Sequence, residues 1–139
     1  MVNPESLDPI DSVDFCGACH ATWWDVKLAG TKGTTNARSQ PYRLELSKCW
    51  GKGDKRLTCM GCHDPHYQLD QVAEHYDHVC LSCHSVTSDK PVEHAAKTCP
   101  VGTKACSSCH MPKVLVPEMQ YKFTDHKIQI NRAGDSYTE

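Results

Sequence analysis

Apolar residues recur mostly at helical spacing along the chain, and they predict short helices separated by polar loops. Asp11 and Ser12 cap a predicted helix through DSVDFCGACHATWWDVKLAG, and Gly30 ends it. The Gly/Thr/Ser-rich stretch TKGTTNARSQP predicts a loop. Two further stretches have helical character, and these are PYRLELSKCW and LDQVAEHYDHVCLSCH.

Later in the chain the local signals are fewer. Ser88 and Asp89 begin a predicted helical turn through PVEHAAK. KVLVPEMQYKFTD alternates loosely and predicts a small hairpin around Pro117. No linker is evident, so we expect a single domain over 1–139, with an extended N-terminal segment over 1–13.

The composition is poor in core-forming residues. Hydrophobic residues make up 39% of the chain, aromatic residues 7%, and Phe occurs only twice. A conventional core in 139 residues would usually need more apolar mass. Cysteine and histidine are abundant instead, with ten and nine copies.

Eight of the ten cysteines lie in four copies of Cys-x-x-Cys-His, which is the attachment signature of c-type haem. Each thiol adds to a haem vinyl group to form a thioether, and the adjacent imidazole becomes the proximal iron ligand. The sequence therefore predicts four covalent haems c. The attachment residues are Cys16, Cys19, Cys59, Cys62, Cys80, Cys83, Cys106 and Cys109, and the proximal ligands are His20, His63, His84 and His110.

Three other interpretations of the cysteines were weighed. Two Cys-x-x-Cys pairs can build a four-thiolate zinc site, but zinc does not require His at the fifth position. A disulfide scaffold is possible in a cysteine-rich chain, although this spacing is awkward for disulfides. A thioredoxin-like redox motif would occur once, on a βαβ pattern that the chain lacks.

Four haems would supply the missing core. We expect a fold that is mostly irregular with short α-helices and little β structure, wrapped around four stacked haems. The chain without haem is then expected not to fold, because the cofactor is the nucleus of burial.

Five histidines remain as candidates for the distal iron ligands, and four irons with two imidazoles each need four of them. Met60 and Met111 lie within or against the motifs, and Met119 is isolated, so bis-histidine ligation is the economical prediction. One histidine is then spare. The candidates are His66, His75, His78, His94 and His126.

His66 lies three residues after His63 and cannot reach the opposite face of the same haem. It therefore serves a different haem, or it is a surface histidine. His75 and His78 share one face of a predicted helix. A ligating imidazole needs an acceptor for its second nitrogen, and neighbouring carboxylates are candidates. These are Asp125 for His126, Asp77 for His78 and Glu93 for His94.

CSSCHMPK followed by TDHKI resembles the C-terminal signature of the cytochrome c554-like multihaem family, and CMGCHDPH with CLSCH is similar to it too. The similarity covers roughly 55–130. Four haems in so short a chain also resemble the tetrahaem subunits of extracellular cytochrome filaments, or nanowires. The resemblance implies stacked haem pairs and, in filaments, an axial histidine donated between subunits.

Haem c is attached outside the cytoplasm, where disulfides persist, and Cys49 and Cys99 remain outside the motifs. We predict a Cys49–Cys99 disulfide; two free thiols or bonds between subunits are the alternatives. Attachment of haem c requires export, but MVNPESLDPIDSVDF has no features of a signal peptide. We therefore expect an exported protein whose signal peptide is not part of this sequence. The expected location is extracellular or at the cell surface, alternatively periplasmic.

No apolar stretch is long enough to predict a membrane span, and no basic stripe predicts nucleic-acid binding. Closely spaced six-coordinate haems favour electron transfer, with no catalytic residues. We expect a filament-forming homo-oligomer, or a soluble periplasmic shuttle, that exchanges electrons with redox proteins or extracellular acceptors. A multihaem reductase of small nitrogen or sulfur compounds, or a haem-storage protein, are the alternatives. A reductase would need an open iron site, and Trp23 and Trp24 are candidates to line it.

Overall fold

The computed structural model describes residues 2–51, 55–84 and 99–138. These residues are mostly helical and irregular, with one two-stranded sheet, which confirms the expected balance of secondary structure. The helical turn predicted through PVEHAAK lies outside the described residues.

Two helices replace the single helix predicted near the N-terminus. Helix α1 spans Pro9–His20 and helix α2 spans Trp23–Ala29. The chain breaks at Ala21, whose φ of 64° is incompatible with a right-handed helix. Helix α2 then restarts on a capping box in which Thr22 and Asp25 satisfy each other's backbone N–H groups. Gly30 ends α2 in the left-handed conformation, as predicted.

The start of α1 corrects two predictions. Its N-cap is Asp8, whose carboxylate accepts a hydrogen bond of 2.9 Å from the N–H of Asp11. The cap therefore lies three residues before the predicted Asp11. The segment expected to be extended over 1–13 is helical from Pro9 onward, and Val13 is 2% exposed.

The next stretch is more regular than predicted. A 3₁₀-helix over Gly33–Arg38 occupies most of the predicted loop, and helix α3 spans Gln40–Glu45. Helix α3 ends five residues before the predicted terminus at Trp50. Together with α1, α2 and the hairpin described below, these elements enclose the apolar core. Its members are Val13, Val26, Ala37, Tyr42, Leu44 and Val116.

Helix α4 spans Asp77–His84 and follows a 3₁₀-helix over Ala73–Tyr76. Helical structure therefore begins at Ala73, four residues after the predicted start at Leu69. The delay has a local cause. The Asp70 carboxylate accepts a hydrogen bond of 2.8 Å from the N–H of Val72, and this turn competes with helix formation. Helix α5 spans Cys106–His110.

The predicted hairpin is confirmed. Strand β1 spans Lys113–Val116 and pairs antiparallel with strand β2, Tyr121–Thr124. A 3₁₀-turn over Pro117–Met119 joins the strands, and Gln120 completes the reversal with a φ of 50°. Val116 is fully buried, so the hairpin is attached to the core through the end of β1.

Candidate haem centres

Each Cys-x-x-Cys-His motif lies on a helical turn. In helices α1, α4 and α5 the motif histidine is the last helical residue. The second motif begins with a 3₁₀-helix over Cys59–Gly61, and the His63 N–H donates to the Cys59 carbonyl at 2.9 Å. Because residues three apart share one side of a helical turn, the two cysteines of each motif face the same way.

The first and second motifs are in contact. The Cys59 thiol lies near that of Cys16, and burial followed by this neighbour raises the pKa of Cys16 to about 11. The N–H of Cys59 also donates to Ser12 Oγ at 3.2 Å. Ser12 lies on α1 one turn before Cys16, so this helix holds the second motif directly against the first.

The second and third motifs are joined by Arg56, whose Nη2 donates to Cys83 Sγ at 3.0 Å. Arg56 Nη1 also donates to the Ser82 carbonyl at 3.4 Å. Burial raises the pKa of Cys62 to about 11, and the neighbouring Cys80 contributes in the same direction. The Cys62 and Cys80 sulfur atoms are therefore close enough for their charges to interact.

The third and fourth motifs are joined by Asp77. Its carboxylate accepts hydrogen bonds from the N–H groups of Ala105 at 2.7 Å and Cys106 at 2.8 Å. These bonds hold Ala105 at a φ of 52°, directly before α5. The Cys80 thiol lies near that of Cys106, and burial followed by Asp77 raises the pKa of Cys106 to about 12. The four motifs thus contact one another in chain order.

Among the distal candidates in the described part of the chain, His126 has its ring beside that of a motif histidine. Its ring centroid lies 6.1 Å from that of His63, with an angle of 41° between the rings. Metal–imidazole bonds of about 2 Å place two imidazoles on opposite sides of one metal with centroids roughly 6 Å apart. The spacing of His63 and His126 therefore fits a pair of axial ligands.

A buried ion pair holds the chain beside His126. Arg43 on α3 donates to both carboxylate oxygens of Asp125, at 2.7 Å each, and the two side chains are 0% and 3% exposed. Arg43 also donates to the Thr138 carbonyl at 3.0 Å. Burial opposes the guanidinium charge, but the bonds to Asp125 raise the pKa of Arg43 overall. This bidentate pair fixes the backbone from which the His126 ring projects.

Four histidines have an acceptor at Nδ1, and this leaves Nε2 as the nitrogen available to a metal. Three of the acceptors are backbone carbonyls and one is a carboxylate. The pairs are His78 with His75 O at 2.8 Å, His110 with Gln129 O at 2.8 Å, His126 with Thr124 O at 3.0 Å, and His75 with Asp70.

The prediction that neighbouring carboxylates accept from these rings is therefore wrong for the two pairs that the structure describes. Asp125 pairs with Arg43, and Asp77 caps the start of α5. Glu93 and His94 lie outside the described residues.

Burial keeps two of the imidazoles neutral. It lowers the pKa of His126 to about 4, and the neighbouring His63 acts in the same direction against the Thr124 carbonyl, which favours the charged ring. Burial, followed by the nearby His20, also lowers the pKa of His63. Neutral imidazole is the form that binds metal ions.

The remaining histidines lie nearer the surface. His66 is exposed, and its N–H donates to Asp64 Oδ1 at 2.9 Å, which holds the chain in a tight turn. His20, His75, His78 and His84 are exposed, and His110 is half-buried. The assignment of His66 to a second haem stays a prediction.

All ten cysteines fall within the described residues, and none of them forms a disulfide there. Cys49 is half-buried, and burial followed by the nearby Cys83 and Cys80 raises its pKa. The N–H groups of Val101 and Gly102 lower the pKa of Cys99. The Cys49–Cys99 bond is not formed in this structure, and the pairing stays a prediction.

Across 2–51, 55–84 and 99–138, no three His, Cys, Asp or Glu side chains converge on a point where a metal ion could sit. A bis-histidine haem takes only two ligands from the chain, so pairs of the His63–His126 kind are what this cofactor needs. In the same ranges, none of the helices has the length and apolar character of a membrane span.

The chain matches no protein-family model, no curated protein and no solved structure. The resemblance to the cytochrome c554-like family therefore rests on the motif residues themselves.

Proposed function

We propose that this protein transfers electrons through four covalently attached c-type haems, each held by two histidines. The observation that carries the proposal is the contact between consecutive motifs in chain order. Three polar contacts support it, and these are Cys59 N–H with Ser12, Arg56 with Cys83, and Cys106 N–H with Asp77. Haems attached at neighbouring motifs would lie close together, and electron transfer in series needs that proximity.

The ligand supply favours an electron carrier over an enzyme. Nine histidines exceed the eight that four bis-histidine irons require, so no iron needs an open coordination position. Haem bound in this way supplies one-electron redox chemistry, and the chain's own residues set ligation, spacing and burial. The thiols of each motif would carry the haem, and the motif histidine would be its proximal ligand.

The proposal assigns His63 and His126 as the axial pair of the haem attached at Cys59 and Cys62. Their centroid separation of 6.1 Å supports this assignment, and so does the Thr124 carbonyl at Nδ1 of His126. The His126 ring lies beside the Arg43–Asp125 pair, and this packing limits its freedom to turn away from His63.

Replacing His126 tests the assignment. His126→Ala is expected to convert one haem of the four to the high-spin state, detected by electron paramagnetic resonance, while intact mass shows all haems still attached. His126→Met is the matched control, because methionine restores a sixth ligand: that haem should remain low-spin with a higher potential. Four low-spin haems in His126→Ala would refute the pair. His66→Ala, measured in the same way, tests whether His66 is a ligand of a haem other than the one bound by His63.

The finer proposal is that subunits polymerise into an extracellular filament, with the line of haems continued from one copy to the next. The exposure of His66, His75 and His78 supports it, because an exposed imidazole can ligate an iron in an adjacent subunit. Negative-stain electron microscopy of the native preparation tests it. Thin filaments with a regular repeat are expected, whereas discrete particles would replace the filament with a soluble periplasmic shuttle.

A further inference from the structure

Helices α1, α2 and the end of α3 surround a cavity of about 340 Å³ that the proposed electron-transfer role does not use. All three tryptophans of the protein line it, together with two carboxylates and two aliphatic residues. Trp23 and Trp24 form two walls at right angles, with ring centroids 4.8 Å apart and 84° between their planes. The full lining is Ile10, Val13, Asp14, Trp23, Trp24, Glu45 and Trp50.

The cavity borders the part of α1 that precedes the first haem-attachment motif. Ile10, Val13 and Asp14 are spaced three and four residues apart and share one helix face. Cys16 follows these residues on α1 and has Cys59 as a near neighbour. The cavity is therefore formed by residues outside the motif itself.

The walls present negative potential from two sources. The face of an indole ring carries the negative end of its quadrupole, and Trp is the strongest aromatic host for cations. Asp14 and Glu45 add two carboxylates. Burial raises the pKa of Glu45, and the nearby Asp14 acts in the same direction, so the two acids repel each other. A cation between them would relieve that repulsion.

The Trp23 ring already binds one cation. The Lys27 ammonium lies 5.4 Å from its centroid and 5.5 Å from that of Tyr42. Lys27 does not line the cavity, so its charge does not fill the space between the indoles and the carboxylates.

We propose that this cavity binds a small organic cation of the quaternary ammonium class. A metal ion is a poor fit, because indole rings offer no lone pair and only two carboxylates face the space. A weakly hydrated, methylated ammonium gains from contact with aromatic faces and keeps its charge near the acids.

Calorimetric titration of the haem-loaded protein tests the proposal with choline and with 3,3-dimethylbutan-1-ol, its uncharged analogue of the same shape. Choline should bind saturably and the neutral analogue at least about tenfold more weakly, because only charge differs. Equal affinities, or no saturable heat with choline, would overturn the proposal. This comparison needs no variant and does not depend on what the haems do.

Two variants locate the site. Trp24→Ala and Glu45→Gln should each weaken choline binding by roughly fivefold or more, since each removes one attractive wall. Tyr121→Ala and Glu118→Gln are matched controls on the hairpin, and both should bind as the parent does. An unchanged visible spectrum establishes that each variant is folded. Choline affinity unchanged in both cavity variants would contradict the assignment to this cavity.

Discussion

Two regions of the molecule differ in what they bury. Of the residues that the structure describes, six hydrophobic ones are buried, and all six lie in one region, the packed region, formed by 9–50 and 113–128. The central region, 55–84, carries two of the four motifs, and Asp77 is its only buried residue. Tyr67 and Leu69 in the central region are 78% and 62% exposed.

The difference separates two sources of stability. The packed region has apolar burial and a buried ion pair, so side chains alone give it a core. The central region has hydrogen-bonded turns but little apolar burial, although it holds three of the five distal candidates. Under the proposed function, haem supplies the apolar surface that the central region needs. The packed region would then serve as the frame on which His126 approaches the central His63.

Withholding haem should give the largest effect. In protein produced without haem attachment, backbone amides of the central region are expected to exchange at the rates of an unfolded chain, while α1 and α3 keep some protection. Hydrogen exchange read by mass spectrometry measures this, with the haem-loaded protein as the control. Equal protection of the two regions in the haem-free chain would break the comparison.

Removing the Asp125 carboxylate, which is the buried counter-charge of Arg43, should give the second-largest effect. This effect is expected in the packed region. Asp125→Asn leaves Arg43 buried without its carboxylate and is expected to lower the free energy of unfolding by about 3–5 kcal/mol. Guanidinium denaturation followed by circular dichroism measures the loss. The double variant Arg43→Met with Asp125→Leu is the control and should recover most of it, because no charge is left unpaired. A single variant as stable as the parent would show that the pair does not support this region.

A methyl group at Gly61 should affect the central region alone. Its Cβ would lie 2.5 Å from the Arg56 carbonyl oxygen, so the backbone of the second motif has to shift. Gly61→Ala is expected to cost about 1–3 kcal/mol and to raise amide exchange around this motif. Gly102→Ala, where the new Cβ meets nothing within 4 Å, is the matched control and should be near neutral. Comparable losses in the two variants would argue against a tightly packed turn.

Removing the α2 cap should give the smallest effect, confined to the packed region. Thr22→Ala is expected to cost about 0.5–2 kcal/mol, with Thr103→Ala as the control at an exposed position. The bonds from Thr22 lower the pKa of Asp25, so the carboxylate stabilises the fold above its ordinary pKa of 3.8. That contribution is lost as the pH falls through the lowered value. Thermal melts across this acid range should show the parent and Thr22→Ala converging, and a constant difference would contradict the capping role.

Local signals predicted the elements that depend on local chemistry. Gly30 ends α2 and the hairpin reverses near Pro117, as the sequence indicates. The break at Ala21 was missed, although Thr22 and Asp25 have the spacing of a capping box, because the apolar pattern continues across it. The Arg43–Asp125 pair joins residues 82 positions apart, and no sequence period relates them.

The features of the candidate site also divide into those that local sequence predicts and those that depend on tertiary structure. The motif residues are readable from their spacing, whereas the approach of His126 to His63 depends on how the hairpin docks. The acceptors predicted from sequence neighbours failed because adjacent side chains point in different directions, and backbone carbonyls lay closer to the rings. Asp77 instead satisfies N–H groups at the start of α5, which otherwise have no helical partner.

The most direct test of the central claim is the intact mass of the native protein, measured together with its visible spectrum in the reduced state. The account predicts the mass of the chain plus four covalently attached haems, and a low-spin spectrum that carbon monoxide does not change. A mass equal to that of the chain alone, or a spectrum that shifts when carbon monoxide is added, would contradict a tetrahaem electron carrier with bis-histidine ligation.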